Sequence, residues 1–368
     1  MKKIISIAAA AGLLQMLFVS CNRNVSPEDA ISRNLPEGMG LVKVELQTGA
    51  LSEVKAGTPY VEELSYEKSI NSVQLFFFDY GENLLRAENI GNQTSATFQI
   101  PVGVIEAWAL VNFPDITQEI STLSELNQYQ VLLADNSLDE GKGFLMYDAS
   151  VVEVTANAEN KIQFVAKRYA SRIALASVTN SIPEGYDVKL ERAFIANAVS
   201  KTVVDFSTDN YVFANPQGRV GETPLEESHI IDGVSYESDI PDLLYKDFPA
   251  MTFAKGTSFT PTKPYCFYVL PNGGGKEMAG FDVESGVEFD LSEALYPTTI
   301  VLVAALNGTE YYYPIPINNI EHNKSYTVYV TLLGPGSQDP NSPVVKSSVD
   351  VELKVQPWRD GGVISSEI

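Results

Sequence analysis

The stretch VKVELQ at residues 42–47 and the stretch VDVELK at residues 349–354 follow the same pattern. In each stretch aliphatic residues occupy every second position, and charged or amide residues lie between them. The two aliphatic sets are Val42, Val44, Leu46 and Val349, Val351, Leu353. A period of two predicts half-buried β-strands. Two such strands could fill the same groove, so that a strand from one molecule could replace its counterpart in another. The alternative is that any two amphipathic strands look alike.

Most of the remaining chain also has the composition of β-strands. Segments rich in Val, Ile, Phe, Tyr and Thr alternate with Gly, Pro, Asn and Asp. The predicted strands are 72–80, 97–100, 105–112, 161–165, 172–178, 187–195, 265–270, 299–305, 309–317 and 325–333. Asn307-Gly308 predicts a tight hairpin. Many strands with few helices predict an all-β fold of antiparallel sandwiches.

One helix is expected after Asp115, which could cap its N-terminus. Gln118 occupies the capping-box position, and apolar residues follow at helical spacing. These apolar residues are Ile116, Ile120, Leu123 and Leu126.

The N-terminus has the features of an export signal. Lys2 and Lys3 precede a mostly apolar run that ends at Val19 and is too short to span a membrane. Cys21 follows a small residue, as in the signal peptides of bacterial lipoproteins. Residues 1–20 are therefore predicted to be removed, and Cys21 to carry acyl chains such as palmitate that anchor the precursor to the outer membrane. The alternative is an ordinary signal peptide with an incidental Cys.

Composition argues against several functional classes. The formal charge of −22 disfavours binding to nucleic acid, which depends on Lys and Arg. Cys266 is the only other cysteine, and we expect it to be a buried strand residue. His229 and His322 are the only histidines, and neither has a partner at metal-ligand spacing or lies in a nucleophile motif. We therefore expect a protein that is not an enzyme and has no metal or cofactor.

The chain is predicted to have two domains followed by an arm. A break near residues 167–170 separates two runs of strands, which places the domains at 21–167 and 168–333. The stretch GPGSQDPNSP at 334–343 predicts an exposed, partly stiff linker, and the arm comprising this linker and the last strand extends over 334–368. The alternative is a long loop that leads to one more strand of the second domain.

Several features in this order resemble the fimbrillin superfamily, the type V pilus subunits of Bacteroidetes. They are Cys21, the first strand at 41–47, INSVQLFFFDYG at 70–81, VAKRYASRI at 165–173, and the last strand at 349–355 followed by Pro357-Trp358. The resemblance implies two tandem transthyretin-like Greek-key β-sandwich domains with few short helices. It also implies a lipoprotein whose first strand is removed by a trypsin-like protease. The C-terminal strands of another subunit then enter the vacated groove, and the fimbria so formed supports cell adhesion.

Carried onto this chain, the resemblance assigns roles to particular residues. The displaced strand contains Val42, Val44 and Leu46. The donor strand contains Val349, Val351, Leu353, Val355 and Trp358, and residues 362–368 could continue it. Trp358 either anchors the junction between subunits or covers its own domain. The partners would be other pilin subunits, with the outer membrane bound through lipid on the precursor and an adhesion ligand that the sequence does not identify.

The cleavage site departs from the family pattern. Stalk subunits of the Porphyromonas type are cut after an Arg that follows the first strand, whereas here the first basic residue after Gln47 is Lys55. Lys55 is therefore the candidate cleavage residue. A subunit that kept its first strand would instead be a fimbrial anchor or tip.

A third class is a surface glycan-binding β-sandwich lipoprotein. The Tyr311-Tyr312-Tyr313 run could supply rings for stacking on sugars, but consecutive residues of a strand point to opposite faces.

Overall fold

The computed structural model describes residues 37–48, 64–156, 158–183, 185–207, 212–213, 240–273, 297–338 and 348–358. Cys21, Lys55, His229 and the tail 362–368 lie outside these ranges. The described elements are almost all strands, which confirms the all-β prediction.

The described strands are β1 Met39–Thr48, β2 Val73–Asp79, β3 Leu84–Asn89, β4 Ser95–Pro101, β5 Gly103–Val111, β6 Gln130–Leu132, β7 Met146–Val154, β8 Glu159–Arg168, β9 Ser171–Asn180, β10 Val188–Ala196, β11 Val199–Val203, β12 Val212–Phe213, β13 Tyr245–Thr252, β14 Ser258–Phe259, β15 Tyr265–Val269, β16 Thr298–Leu306, β17 Thr309–Ile317, β18 Lys324–Leu332 and β19 Val349–Pro357. The described helices are α1 Leu123–Asn127 and α2 Ile240–Leu244, with 3-10 turns at Ser65–Glu67 and Leu133–Asp135.

The first eight strands, except the short β6, form a sheet that folds over on itself. Its order is β3-β2-β5-β7-β8-β1-β4, and β7 joins β8 through only Met146↔Arg168 and Tyr147↔Lys167. Side chains from β2, β5 and β7 share one buried cluster with side chains from β1, β4 and β8. The two parts of the sheet therefore face each other as the layers of a sandwich, and alternate residues of each strand point into the core.

The later strands form two further sheets. Their orders are β13-β10-β16-β17 and β14-β9-β18-β19, and β15 also pairs with β9. Asn307 and Gly308 connect β16 to β17 with φ of 50° and 81°. Positive φ at both central residues is the geometry of a type I′ hairpin, so the predicted turn is confirmed.

A second buried cluster extends from the first eight strands into the later ones. It contains Phe76, Phe78 and Trp108 from β2 and β5, together with most buried apolar residues of β9, β10, β15, β16 and β18. The small sheet β12-β11-β6 also combines an early strand with two later ones. The chain thus passes from β8 to β9 through a buried seam, and β8 ends at Arg168 within the predicted break.

The prediction that a helix begins after Asp115 is wrong about the position of the helix. Asp115 accepts a hydrogen bond from the N–H of Thr117, but only a turn follows, and α1 begins at Leu123 with Thr122 as its cap. Tertiary contacts explain the difference. The N–H of Leu123 donates to the carbonyl of Glu82, and the carbonyl of Ser121 accepts from Leu84. These backbone groups therefore already have partners outside a helix.

Candidate functional site

The first strand is a central strand of its layer. β1 pairs with β8 in parallel from Leu41↔Glu159 to Thr48↔Ala166. On its other edge it pairs with β4 in antiparallel fashion from Met39↔Pro101 to Glu45↔Ser95. Its backbone is thus hydrogen-bonded on both sides. Removal of β1 would leave a slot between two strands with unpaired backbone groups on both edges.

The aliphatic side chains of β1 fill the sandwich core. Val42, Val44 and Leu46 are all buried and share a cluster with the rings of Phe77 and Phe98, whose centroids lie 5.4 Å apart. Burial of each such aliphatic side chain contributes about 1.5–3 kcal/mol. The same three residues that the sequence assigns to a displaced strand therefore form one wall of the core.

The outward face of β1 carries an ion-pair cluster. The Glu45 carboxylate lies 2.6 Å from the Lys161 ammonium on β8 and 3.4 Å from that of Lys43. The hydrogen bond from Lys161 lowers the pKa of Glu45. Such exposed pairs contribute little to stability, but they distinguish one strand alignment from another.

Two features bind the beginning of β1 closely. The Asn160 amide donates to the carbonyl of Leu41 at 3.0 Å and to that of Thr155 at 2.9 Å. A β-carbon on Gly40 would lie 2.5 Å from Val154 Cγ1 and 2.9 Å from Thr155 O. Only glycine fits at this position without displacement of its neighbours.

The last strand has the same pattern in a different environment. Among the described strands β19 pairs with β18 alone, from Lys324↔Pro357 to Leu332↔Val349, which places it at the edge of the described sheet. Leu353 is 40% exposed and Val355 is 53% exposed. Val349 and Val351 are partly buried against the second cluster. The arm therefore leaves much of its apolar surface in solvent.

Trp358, directly after β19, lies in the buried seam of its own chain and is only 2% exposed. The backbone N–H of Trp358 donates to the carbonyl of Asn323 at 2.8 Å, and the backbone carbonyl of Trp358 accepts from the Arg168 guanidinium at 3.1 Å. The Arg168 guanidinium lies 4.6 Å from the indole centroid, and the Tyr268 ring stacks at 5.6 Å. Among the described residues, the buried indole Nε1 has no hydrogen-bond partner.

A buried ion pair supports this pocket. Arg172 donates to both carboxylate oxygens of Glu67, at 3.1 and 2.9 Å, and both side chains are buried. The Tyr268 hydroxyl also donates to Glu67, at 2.6 Å. Burial raises the pKa of Tyr268 well above its usual range, so this hydroxyl remains a donor. Glu67 lies nineteen positions after Thr48, the end of β1, so one carboxylate connects the chain that follows β1 to the Trp358 pocket.

The beginning of the predicted linker is not exposed. Ser337 and Tyr312 exchange backbone hydrogen bonds of 2.7 and 2.9 Å, and the Tyr313 hydroxyl donates to the carbonyl of Gly334. Residues 334–337 are therefore fixed to β17, and the prediction of an exposed linker is wrong for them. Tyr313 is itself buried, so the tyrosine run does not form an exposed stacking platform.

Several residues of the site were missed in the sequence analysis. No local sequence motif contains Glu67, Asn160 or Lys161. The partners of these residues are about a hundred residues away along the chain. Arg172 did carry a signal, because a charged residue inside the apolar run SRIALASV implies a buried counterion. The predicted buried position of Cys266 is confirmed, and burial raises the pKa of its thiol to about 11.

Features of other functional classes were also compared with the described residues. His322 Nε2 lies 3.0 Å from the Tyr147 hydroxyl, and its ring stacks on Phe206. Within the described ranges no cluster of three or more His, Cys, Asp or Glu side chains could hold a metal ion. No helix in those ranges has the length and apolar character needed to cross a membrane.

Comparison with known proteins identifies the fold. No protein-family model matches the sequence. The structure is similar to a proposed cell adhesion protein of Parabacteroides distasonis ATCC 8503, with a TM-score of 0.57, 18% identity, and coverage of 89% of this chain and 98% of that one. For a proposed cell adhesion protein of Bacteroides eggerthii DSM 20697 the TM-score is 0.57 and the identity 19%, with coverage of 88% of this chain and 98% of that one. For a fimbrilin of Porphyromonas gingivalis W83 the TM-score is 0.54 and the identity 14%, with coverage of 87% of this chain and 97% of that one. The chain therefore shares the fold of these proteins over nearly their whole lengths.

Proposed function

We propose that this chain is a member of the fimbrillin superfamily and a structural subunit of a cell-surface fimbria. After proteolytic removal of β1, the arm of one subunit fills the vacated slot of the next, and the fibre grows by strand exchange. The shared fold with a fimbrilin and with proposed cell adhesion proteins supports this assignment. The protein acts through assembly and adhesion and not as an enzyme.

One observation carries the proposal. The pattern V-x-V-x-L is fully buried between two strands in β1, whereas in β19 it lies at a sheet edge with Leu353 and Val355 largely exposed. A strand that moves from an edge into a central slot gains a second row of backbone hydrogen bonds and buries its aliphatic face. Both changes favour exchange once the slot is empty.

Processing would begin at the N-terminus. Cys21 would carry the lipid of an outer-membrane precursor, and cleavage at Lys55 would separate β1 from the mature chain, which would begin at Ala56. The two sandwich domains would be residues 21–167 and 168–333, with the arm at 334–368.

Donation of the arm requires Trp358 to leave its pocket. The pocket retains Trp358 through stacking and two backbone hydrogen bonds. A buried donor without a partner costs about 1–3 kcal/mol, so Nε1 weakens this retention. The end of β19 is therefore held in place, but less tightly than it would be if Nε1 had a partner. Such incomplete binding would allow β19 to leave when an acceptor slot is available.

The proposal is tested with the full-length precursor treated with mild trypsin. N-terminal sequencing should find a start near Ala56, and native gels should show ladders. The same ladders should be absent from a variant that lacks residues 349–368. A matched variant that lacks only 359–368 tests whether the tail is needed. Persistent monomers with an intact first strand would contradict strand exchange.

An anchor or tip subunit is the second candidate. The complete burial of Val42 and Val44 and the tight fit at Gly40 are also what a permanently retained strand requires. An acylated Cys21 N-terminus that survives in assembled fimbriae, with one copy per fibre, would favour this role.

A further inference from the structure

We propose that the incoming donor strand adopts one particular register in the slot of β1, with Val349, Val351 and Leu353 in the places of Val42, Val44 and Leu46. The sizes of the side chains at Val44 and Leu46 and the charge of Lys161 select this register. The inference rests on the proposed function and on a donor that runs in the same direction as β1.

A shift of the donor by one residue is excluded by the alternation of the strand. It would place Asp350 and Glu352 in the positions of buried side chains of β1. Burial of an unpaired carboxylate is far more costly than the loss of one aliphatic contact. Only shifts by an even number of residues remain.

A shift by two that places Val351 at the position of Val42 mismatches the side-chain sizes. It also fills the core with three aliphatic residues, because Leu353 and Val355 follow. However, Leu353 would then take the place of Val44, and Val355 would take the place of Leu46, both of which are buried. A larger side chain would enter one close-packed site and a smaller one would leave a void in the other, whereas the proposed register keeps Val, Val and Leu in their places.

The opposite shift by two leaves the core incomplete. With Val349 at the position of Val44, Ser347 would take the position of Val42, which is 0% exposed. A hydroxyl would replace two methyl groups in the sandwich core. The proposed register avoids both faults. In each of these registers the donor must enter the slot after the position of Gly40, because residues 345, 347 and 349, one of which would fall there, all carry a β-carbon.

The charges on the outward face favour the same register. Lys43 of β1 lies directly across from Lys161 of β8, and the Glu45 carboxylate lies 2.6 Å from the Lys161 ammonium. In the proposed register Asp350 replaces Lys43 and Glu352 replaces Glu45, so that Lys161 faces two carboxylates instead of one carboxylate and one ammonium. In the shift that places Val351 at the position of Val42, Glu352 would replace Lys43 and Lys354 would replace Glu45, so Lys161 would again face only one carboxylate together with one ammonium.

Disulfide trapping can measure the register directly. The N–H of Leu46 donates to the carbonyl of Thr94, so Lys43↔Thr97, three positions away, is a non-hydrogen-bonded pair. Such antiparallel pairs have α-carbons about 4.5 Å apart, within the range that a disulfide spans. In the proposed register, residue 350 of the donor faces Thr97 of the acceptor.

The test uses full-length chains with Cys21→Ser and Thr97→Cys, combined with Ser348→Cys, Asp350→Cys or Glu352→Cys. Each chain is processed, allowed to polymerise and oxidised, and is then boiled in SDS without reductant. We expect a covalent ladder for Asp350→Cys only. A ladder for either neighbour instead would overturn the register but leave strand exchange intact. Absence of polymers from the processed parent chain would overturn the proposed function, and the register with it.

A charge swap gives a second readout that needs no cysteine. Starting from processed protein, Lys161→Glu should slow polymerisation about three- to tenfold, because it replaces weak attraction to the two donor carboxylates with repulsion at an exposed site. Addition of Asp350→Lys and Glu352→Lys to that chain should restore the rate. Lys189→Glu is the control, because its exposed ion pair with Glu191 lies on β10. Equal rates for Lys161→Glu, the combined variant and the control would overturn the role of Lys161.

Discussion

β1 and β19 have nearly the same sequence pattern and opposite environments. β1 has a strand on each side and a full sandwich layer beneath it, whereas β19 has one neighbour among the described strands and exposes Leu353 and Val355. The pattern of side chains therefore does not determine how strongly a strand is bound. The number of neighbouring strands and the layer underneath determine it, and they set a free-energy difference in favour of the slot of β1.

The two strands also differ in how they are held. β1 is hydrogen-bonded along both edges, whereas the described part of the chain pairs β19 along one edge and holds its end through Trp358. The Glu67–Arg172 ion pair connects the chain that follows β1 to the end of β19. Glu67 lies in that part of the chain, and the Arg172 guanidinium also contacts the Trp358 indole. Variants of these residues should break or sharpen the comparison by different amounts.

The largest effect is expected for Trp358→Ala. Loss of a buried Trp costs about 3–5 kcal/mol, because a cavity forms in addition to the lost contacts. Chemical denaturation should show this loss, and hydrogen exchange in residues 349–357 should accelerate while that of β1 changes less. Equal protection of β19 in the variant and the parent chain would show that Trp358 does not hold the arm.

Glu67→Gln should have the next largest effect, about 3 kcal/mol. The change leaves the buried Arg172 guanidinium without its counterion, which is the costly way to break a buried pair. The control is Glu88→Gln, which breaks the exposed pair with Arg86 and should cost less than about 1 kcal/mol. Similar unfolding midpoints for the two variants would contradict the assigned importance of the buried pair.

Leu46→Ala and Leu353→Ala compare the two strands with one substitution. Leu46 is buried in the sandwich core, so its loss should cost about 2–3 kcal/mol. Leu353 is largely exposed at a sheet edge, and its loss should cost less than about 1 kcal/mol in the unprocessed monomer. In polymers the order should change, because Leu353 is then buried and Leu46 is absent. A Leu353 variant whose polymers are as resistant to denaturant as those of the parent would argue against insertion.

The smallest effect is the pH dependence of the ion pair at Glu45. Its pKa is lower in the folded chain than in the unfolded one, so the pair stabilises β1 above the unfolded pKa, and this contribution is lost as the pH falls through the folded pKa. Melting curves of the parent chain and Glu45→Gln should therefore differ near neutral pH and converge at acid pH. A difference that grows on acidification would have the wrong sign.

The sequence predicted the elements whose signals are local. The strand at 309–317 coincides with β17, and the Asn307-Gly308 turn has the geometry expected of its residues. β7 was missed because its exposed Val151 interrupts any regular alternation of apolar and polar residues. The helix predicted after Asp115 does not form there because the carbonyl of Glu82, distant in sequence, accepts the N–H of Leu123.

The candidate site was predictable only in part, for the same physical reason. Alternation identified both strands of the comparison, but it does not report whether a strand has one neighbour or two. The Trp358 pocket combines residues from β8, β9, β15 and the turn at Ser65–Glu67, and no local pattern brings these together. Such contacts depend on the topology, which a single sequence does not display.

Mass spectrometry of isolated polymers tests the central claim most directly. Polymers that withstand SDS without heating are purified, and their peptides are mapped. The account predicts that residues 39–48 are missing from polymers, while residues 349–358 are present and protected from protease. Polymers that retain residues 39–48, or whose residues 349–358 are digested as readily as in the monomer, would contradict strand exchange.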